Sequence, residues 1–539
     1  MSVFDVKASK RPRMKRLMKY LIVLGMMVIL STLYFTDIDD GVIKMTDEEL
    51  IRYRSVKSIK EVNMSERDLS TNIDSVFQVG CREIDSSQPR ANASLVMLAR
   101  NQEIDDVIKS MISMERHFNQ WFNYPWVFLN DVPFEESFKT TVQQYTKSSV
   151  EFGTIPKEQW EFPDDIDKDE FNEFTNYQGD RRILYGNNPS YHKMCRYFSN
   201  MFFQHPLVKK REWYWRVEPN VEFFCDLTYD PFVEMEKHGK KYGFNVAIHE
   251  LYYTVPGLFR ETKAFVKEKN IQPTKLWRML VKNFRYSEGE NDARYDMIKS
   301  PLDILREIEY EVTINKLFNT KQKGLGEVDP DLIGRMIVQA SEKPILHLDR
   351  FDYEEYNLCH FWSNFEIAKT EIFTSPLYQE YFQRLDQSGG FYRERWGDAP
   401  VHSLAVAMML DVEDVHYFRD IGYKHSTIGH CPANSKLDQL PYQPSDDNVN
   451  NKNFQSYKPD KGGINGVGCR CKCPLWHEEI EDQSPTCIRQ WHRVSKDNFK
   501  PLTPVNIDFY RAKIERRLNK FLKRGGKLGE NRIAEDLIR

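Results

Sequence analysis

Short apolar runs separated by charged turns organise most of this chain. Residues 95–99 (Leu-Val-Met-Leu-Ala) predict a buried strand. After Arg100-Asn101, the apolar positions Ile104, Val107, Ile108, Met111 and Phe118 recur as one face of a helix. Residues 126–131 predict a second strand, so the body opens strand, helix, strand. An α/β nucleotide-binding sheet begins this way, with ligand groups at the carboxyl ends of its strands. Residues 213–217 predict a third strand that stops at Glu218-Pro219-Asn220, because proline cannot donate to a central ladder. Residues 242–248 predict a fourth strand delivering Glu250, and residues 258–267 a helix. After the Gly389-Gly390 turn and the run from Trp396 to His402, an apolar helix continues through Leu410. Residues 415–418 predict a strand ending at Asp420.

The amino-terminal pattern differs in kind. Residues 1–19 hold seven Lys or Arg and one acid, and residues 20–35 carry no charge before Asp37, Asp39 and Asp40. With Leu17 and Met18 this makes a short apolar span interrupted only by Lys19, whose stem can snorkel to the interface. A cleaved signal peptide and a buried core helix are the alternatives, but no small-residue cleavage site follows. The expected organisation is a cytoplasmic tail at 1–16, a transmembrane signal anchor at 17–36 and a polar lumenal stem at 37–87. The catalytic body follows at 88–510, with a charged surface insertion at 286–350, and a basic tail at 511–539 whose helix presents a solvated face. A short span suits an early secretory or Golgi membrane.

Composition agrees with this arrangement. The net charge is −4, and the basic residues are concentrated before the apolar run, so the body is acidic and nucleic acid is not expected as a partner. Asn63 and Asn92 head N-glycosylation sequons, and the nine cysteines suit an oxidising lumen. The odd number leaves at least one thiol unpaired within the chain. Cys469-Arg-Cys-Lys-Cys473 has one-residue spacings unlike those of structural zinc sites, which favours disulfides.

The chain has no P-loop, no dinucleotide glycine fingerprint, no His-Glu-x-x-His and no Gly-x-Ser-x-Gly. What remains is a set of acids and histidines at predicted strand ends: Glu218, Glu250, Glu366, Asp398, His402 and His425. Glu366 stands among Phe361, Trp362 and Phe365, where a carboxylate is partly desolvated. Local physics leaves it either catalytic or a buried structural acid paired with a donor. Together these residues suggest a divalent metal holding a pyrophosphate, and carboxylate plus imidazole suits Mn²⁺.

Several longer runs carry a specific resemblance. Leu98-Ala-Arg-Asn101, Gly153-Thr-Ile-Pro-Lys-Glu-Gln-Trp160, Tyr191-His-Lys-Met-Cys-Arg196 and Tyr214-Trp-Arg-Val-Glu-Pro219 come first. The run from Tyr356 to Ile367, Arg395-Trp-Gly-Asp-Ala-Pro-Val-His402 and Asp420-Ile-Gly-Tyr423 follow. In this order they resemble the fungal Golgi α-1,2-mannosyltransferases, glycosyltransferase family 15, over roughly residues 92–490. The resemblance implies a GT-A-like fold behind a single transmembrane helix, in a type II Golgi membrane protein. It also implies retaining transfer of mannose from GDP-mannose to N-linked or O-linked glycan acceptors, with Mn²⁺. Carried over by motif, Glu218 and His425 would hold the metal and Glu366 would be the candidate nucleophile. Tyr191, Arg216, Glu250 and Asp398 would line the donor and acceptor site, and Arg100 would reach the nucleotide. Retention is compatible with a covalent nucleophile or with front-face attack, and the residues do not choose between them. Three departures stand out: Asn220 where the family commonly has aspartate, Lys424 where it often has a second histidine, and a longer insertion at 286–350. Mannosylphosphate transfer or its regulation, and a silent lumenal glycan-binding role, are the alternatives.

Overall fold

The computed structural model describes residues 80–163, 166–283, 350–352, 354–437, 439–463, 466–474, 477–481, 487–495 and 507–524, besides Tyr286–Ser287, Val312 and Thr503–Pro504. All lie in one compact unit, Asn63–Arg539. The expected anchor, most of the stem and nearly all of the 286–350 insertion fall outside these residues. No helix among the described residues is long and apolar enough to cross a membrane.

The architecture is α/β. Its central sheet has seven strands in the order Val415–Tyr417, Tyr242–Phe244, Glu366–Lys369, Trp213–Arg216, Ala93–Leu98, Trp126–Asn130 and Val150–Thr154. The central strands are buried on both faces, which is why Leu95-Val-Met and Trp213-Tyr-Trp read as continuous apolar runs rather than alternations. Ala93–Leu98 pairs in parallel with Trp126–Asn130 and with Trp213–Arg216. The crossover helix Ile104–Met114 buries Val107, Ser110, Met111 and Met114, the face that the spacing predicts.

One strand runs against the others, and it creates the site. Glu366–Lys369 is antiparallel to both neighbours, with Glu366 opposite Arg216 on one side and Phe244 on the other. Its first residue therefore lies at the edge where its neighbours end.

Three sequence expectations are corrected here. The single strand expected over residues 242–248 is two, Tyr242–Phe244 and Ala247–His249. The break falls at Asn245, whose side-chain amide donates to the carbonyls of Phe418 and Ile421 (2.7 and 2.8 Å) and so anchors the chain between sheets. The stem does not extend to residue 87: Gly80 N–H donates to Val467, Cys81 bonds Cys469, and Arg82 pairs with Glu234, so these residues belong to the body. The basic carboxyl-terminal helix starts at Ile507, inside the expected body, and its face is not wholly solvated because Ile514 and Leu518 are buried. The insertion leaves after a strand at Val281–Asn283 and returns through Arg350–Phe351 and Glu354–Tyr356. These strands pair in one small sheet, so its two ends are adjacent.

The segment after Cys431 is irregular but strapped down. Cys81–Cys469, Cys225–Cys471 and Cys431–Cys473 use the three closely spaced cysteines, Cys359–Cys487 ties in the helix Cys487–Val494, and Cys195 remains a buried free thiol. Next to the Cys431–Cys473 bridge, buried His430 donates from Nδ1 to Glu479 and from Nε2 to the Arg419 carbonyl, both at 2.8 Å. Burial opposes its charge, but the Glu479 and Glu481 carboxylates push the imidazole from 6.5 up to about 8. A raised histidine stabilises fully below its unfolded value and loses that contribution as pH rises through the folded one. Thermal melting is therefore expected to fall between pH 6.5 and 9 by an amount equivalent to at most ~2 kcal/mol. In His430→Gln that part of the fall should disappear; an identical profile in both proteins would remove this pair as its cause.

Candidate active site

Arg216 is the hub of the site. It ends the strand Trp213–Arg216, is buried, and lies face-on over the Phe198 ring at 3.5 Å. Its Nε donates to Glu218 Oε1 at 2.5 Å and its Nη1 to Asp398 Oδ2. Ser363 Oγ donates to the same Asp398 oxygen at 2.7 Å. Asp398 begins the helix Asp398–Met409, where the helix dipole favours an anion. Burial alone would raise its pKa; Arg216, His402 and Ser363 outweigh that and hold it below the usual carboxylate range. A second ion pair, Arg395 Nη2 to Glu250 Oε1 at 3.2 Å, lies beside the first, with the Arg395 guanidinium 5.3 Å from the centre of the Tyr191 ring.

The Glu218-Pro219-Asn220 turn carries the chain from the large sheet into a smaller one. Asn220 has φ 61°, a left-handed conformation that asparagine tolerates, and its N–H donates to the Asp106 carbonyl. The next strand, Val221–Phe223, pairs with Tyr423–His425 so that His425 lies opposite Val221, within electrostatic reach of Glu218. Gly422 precedes that strand because a Cβ there would meet Cys225 Sγ at 2.7 Å. The His425 ring stacks on Trp362 at 5.4 Å, and its Nδ1 is 3.0 Å from the Asn364 amide. Burial holds its pKa below that of a free histidine, with Glu218 opposing, so the imidazole keeps a lone pair at neutral pH.

This donor set fits a divalent cation. Two carboxylates, Glu218 and Asp398, share one guanidinium, leaving an excess negative charge beside a neutral imidazole, the oxygen-plus-nitrogen chemistry that Mn²⁺ accepts. The cluster of ligating atoms that lie within 4.8 Å of one another among the described residues is His249 with Cys359 and Cys487, and both of its sulfurs are in a disulfide.

Glu366 lies deeper. Its carboxylate is fully buried and both oxygens are occupied: Tyr214 donates to Oε2 at 2.6 Å and Tyr242 to Oε1 at 2.9 Å. His402, also fully buried, places Nδ1 3.1 Å from Oε1 and Nε2 3.0 Å from the Phe198 carbonyl. A carbonyl can only accept, so Nε2 donates to it, and Nδ1 faces the Glu366 carboxyl group.

Residues 44–457 match the family profile of the glycolipid 2-alpha-mannosyltransferases. The chain belongs to this family. It is 48% identical over 439 residues to the probable mannosyltransferase KTR5 of Saccharomyces cerevisiae, covering 79% of this chain and 83% of that one. The mannosyltransferase Ktr4p of S. cerevisiae, solved in complex with GDP, is similar in fold: TM-score 0.57, 27% identity, 85% of this chain and 94% of that one. Core-mannan synthase A of Aspergillus fumigatus, in its Mn/GDP form, has TM-score 0.51 and 33% identity over 71% of this chain and 83% of that one.

Against the residues marked by the family's motifs, the structure joins Arg216, Glu218 and Asp398 directly, and Glu250 to Tyr191 through Arg395. Arg100 follows the strand Ala93–Leu98 at the same sheet edge but is exposed and pairs with Glu103 at 2.7 Å. His402 does not end a strand; it sits within the helix Asp398–Met409. Asn92 is exposed at a strand end, its amide donating to the Lys210 carbonyl, whereas Asn63 lies outside the described residues. Sequence reasoning passed over Arg395, Ser363 and Tyr214. Arg395 and Tyr214 open two of the quoted runs, and Tyr214 stands two residues before Arg216, the spacing of one strand face. Tyr242 and Phe198 carry no local signal.

Proposed function

We propose that this chain transfers mannose from GDP-mannose to mannose-terminated glycans of secretory glycoproteins, forming an α-1,2 linkage with retention on a GT-A-like sheet. The observation that carries the site assignment is the joining of Glu218 and Asp398 by Arg216 where parallel strands end, with His425 within electrostatic reach of Glu218, in a member of a mannosyltransferase family. Glu218 and His425 hold Mn²⁺, which when bound neutralises the departing pyrophosphate. Arg216 orients Glu218 and Asp398, and Asp398, Glu250 and Tyr191 face the sugars. Arg100 exchanges its pairing with Glu103 for the nucleotide.

Front-face attack is favoured over a covalent route, because the Glu366 carboxylate is fully buried and both of its oxygens already accept hydrogen bonds from tyrosines. Glu366 then acts through its charge on the sugar side of the sheet. The basic flank and short apolar span support a Golgi membrane location, type II, with the body lumenal. The full-length enzyme is expected to convert GDP-mannose and methyl-α-mannoside to an α-1,2-mannobioside in Mn²⁺ and to stop in chelator. Glycan binding without transfer under any divalent metal would leave a silent lectin instead.

A further inference from the structure

Exposed apolar side chains are concentrated beside the Tyr191–Arg395–Glu250 corner. Of the eight large hydrophobic side chains exposed among the described residues, Tyr177, Leu184, Tyr185, Leu251 and Tyr253 come from just two segments, 177–185 and 251–253. Single exposed apolar residues need no explanation, but such a concentration marks a binding surface.

Specific contacts tie both segments to the site. The Tyr185 ring stacks on Tyr191 with centroids 4.6 Å apart and planes 20° apart. Tyr191 lies under Arg395, which pairs with Glu250. Glu250 Oε1 also accepts the Leu251 N–H at 2.8 Å, and two residues on, Tyr253 packs edge-on against Tyr252 at 5.6 Å. Arg181 closes the circuit, lying 5.7 Å from the Tyr253 ring centre and 5.4 Å from that of Tyr177, and donating to the Tyr177 hydroxyl at 2.9 Å. Tyr185 holds φ 59°, a left-handed conformation costly for a bulky aromatic, while its side chain stays 50% exposed, so core burial does not compensate for it. Strain of this kind gathers at ligand clamps.

We propose that this rim is an acceptor platform that holds the mannose units lying behind the one that receives the new residue. The inference rests on the mannosyl-transfer reading and extends it. A pyranose offers an apolar face of C–H bonds and a rim of hydroxyls. Tyr185 and Tyr253 match the face, and the Arg181 guanidinium and the tyrosine hydroxyls match the rim. Continuity with Tyr191, Arg395 and Glu250 favours a glycan already entering the site over an unrelated protein partner.

The test compares full-length enzyme with Tyr185→Ala, Tyr253→Ala and the matching phenylalanine variants, using methyl-α-mannoside and α-1,2-mannotriose as acceptors. The mannotriose KM is expected to rise roughly 3- to 10-fold for each ring lost, while phenylalanine keeps most of the effect of tyrosine. GDP affinity by calorimetry and the methyl-α-mannoside KM should move little. An unchanged mannotriose KM in both alanine variants overturns the platform, as does an equal rise for both acceptors. If the unaltered enzyme transfers to neither acceptor, the transfer reading fails. Mannotriose binding by calorimetry then decides the platform alone: binding lost in the alanine variants supports it, and no binding to the unaltered chain overturns it.

Discussion

Glu366→Gln is expected to lose mannose transfer by about 10²- to 10³-fold while GDP affinity in Mn²⁺ stays unchanged, the size of effect seen when one pre-organised electrostatic group is removed from a transition state. The substitution keeps the volume but removes the charge. It also turns one acceptor oxygen into a donor facing Tyr214 and Tyr242, each of which donates to this carboxyl group, with His402 Nδ1 beside them. That mismatch should cost a further ~1–3 kcal/mol of stability. Initial rates, calorimetry and thermal melting read the three effects separately. A lower melting temperature with near-normal turnover would make Glu366 a structural acid whose only task is to join two strands and a helix.

Glu218→Ala and His425→Ala should each abolish Mn²⁺-dependent GDP binding. The loss should exceed the roughly 10- to 100-fold that removal of an outer-shell partner costs a metal site. Their effects should not add, because either change empties the same site. Glu218→Ala has a second consequence: Arg216 is left with Asp398 as its only paired carboxylate, so the buried guanidinium loses a partner. Titration of GDP with and without Mn²⁺ distinguishes the two. Unchanged Mn²⁺-dependent binding in both variants would dismiss them as ligands and leave the Arg216 ion pairs as architecture alone.

The two predictions concern residues that were legible in the sequence to different degrees. Glu218 was marked by the proline that ends its strand and His425 by the glycine-bearing run before it, both local signals that the structure explains through a turn and a close approach to Cys225. Glu366 was visible as an acid among aromatics, but not as the first residue of an antiparallel strand. Strand direction depends on a partner more than a hundred residues away, and nothing local encodes it. The split at Asn245 escaped for a related reason. Its hydrogen bonds run to Phe418 and Ile421, so the tertiary contact overrides an apolar run that reads as one strand.

By itself, the sequence determined the α/β class, the opening strand–helix–strand unit, the disulfide character of the cysteine cluster and the residue types of the site. The first three follow from periodicity, turn chemistry or spacing within a short window, and the site residues from such signals together with the family resemblance. Only the tertiary structure decided which charges meet: Arg216 between Glu218 and Asp398, Arg395 between Glu250 and Tyr191, and Glu366 sealed by two tyrosines and His402. The reason is physical. A buried charge is tolerable only beside its partner, and those partners lie on strands and helices distant in sequence, brought together where the sheet ends.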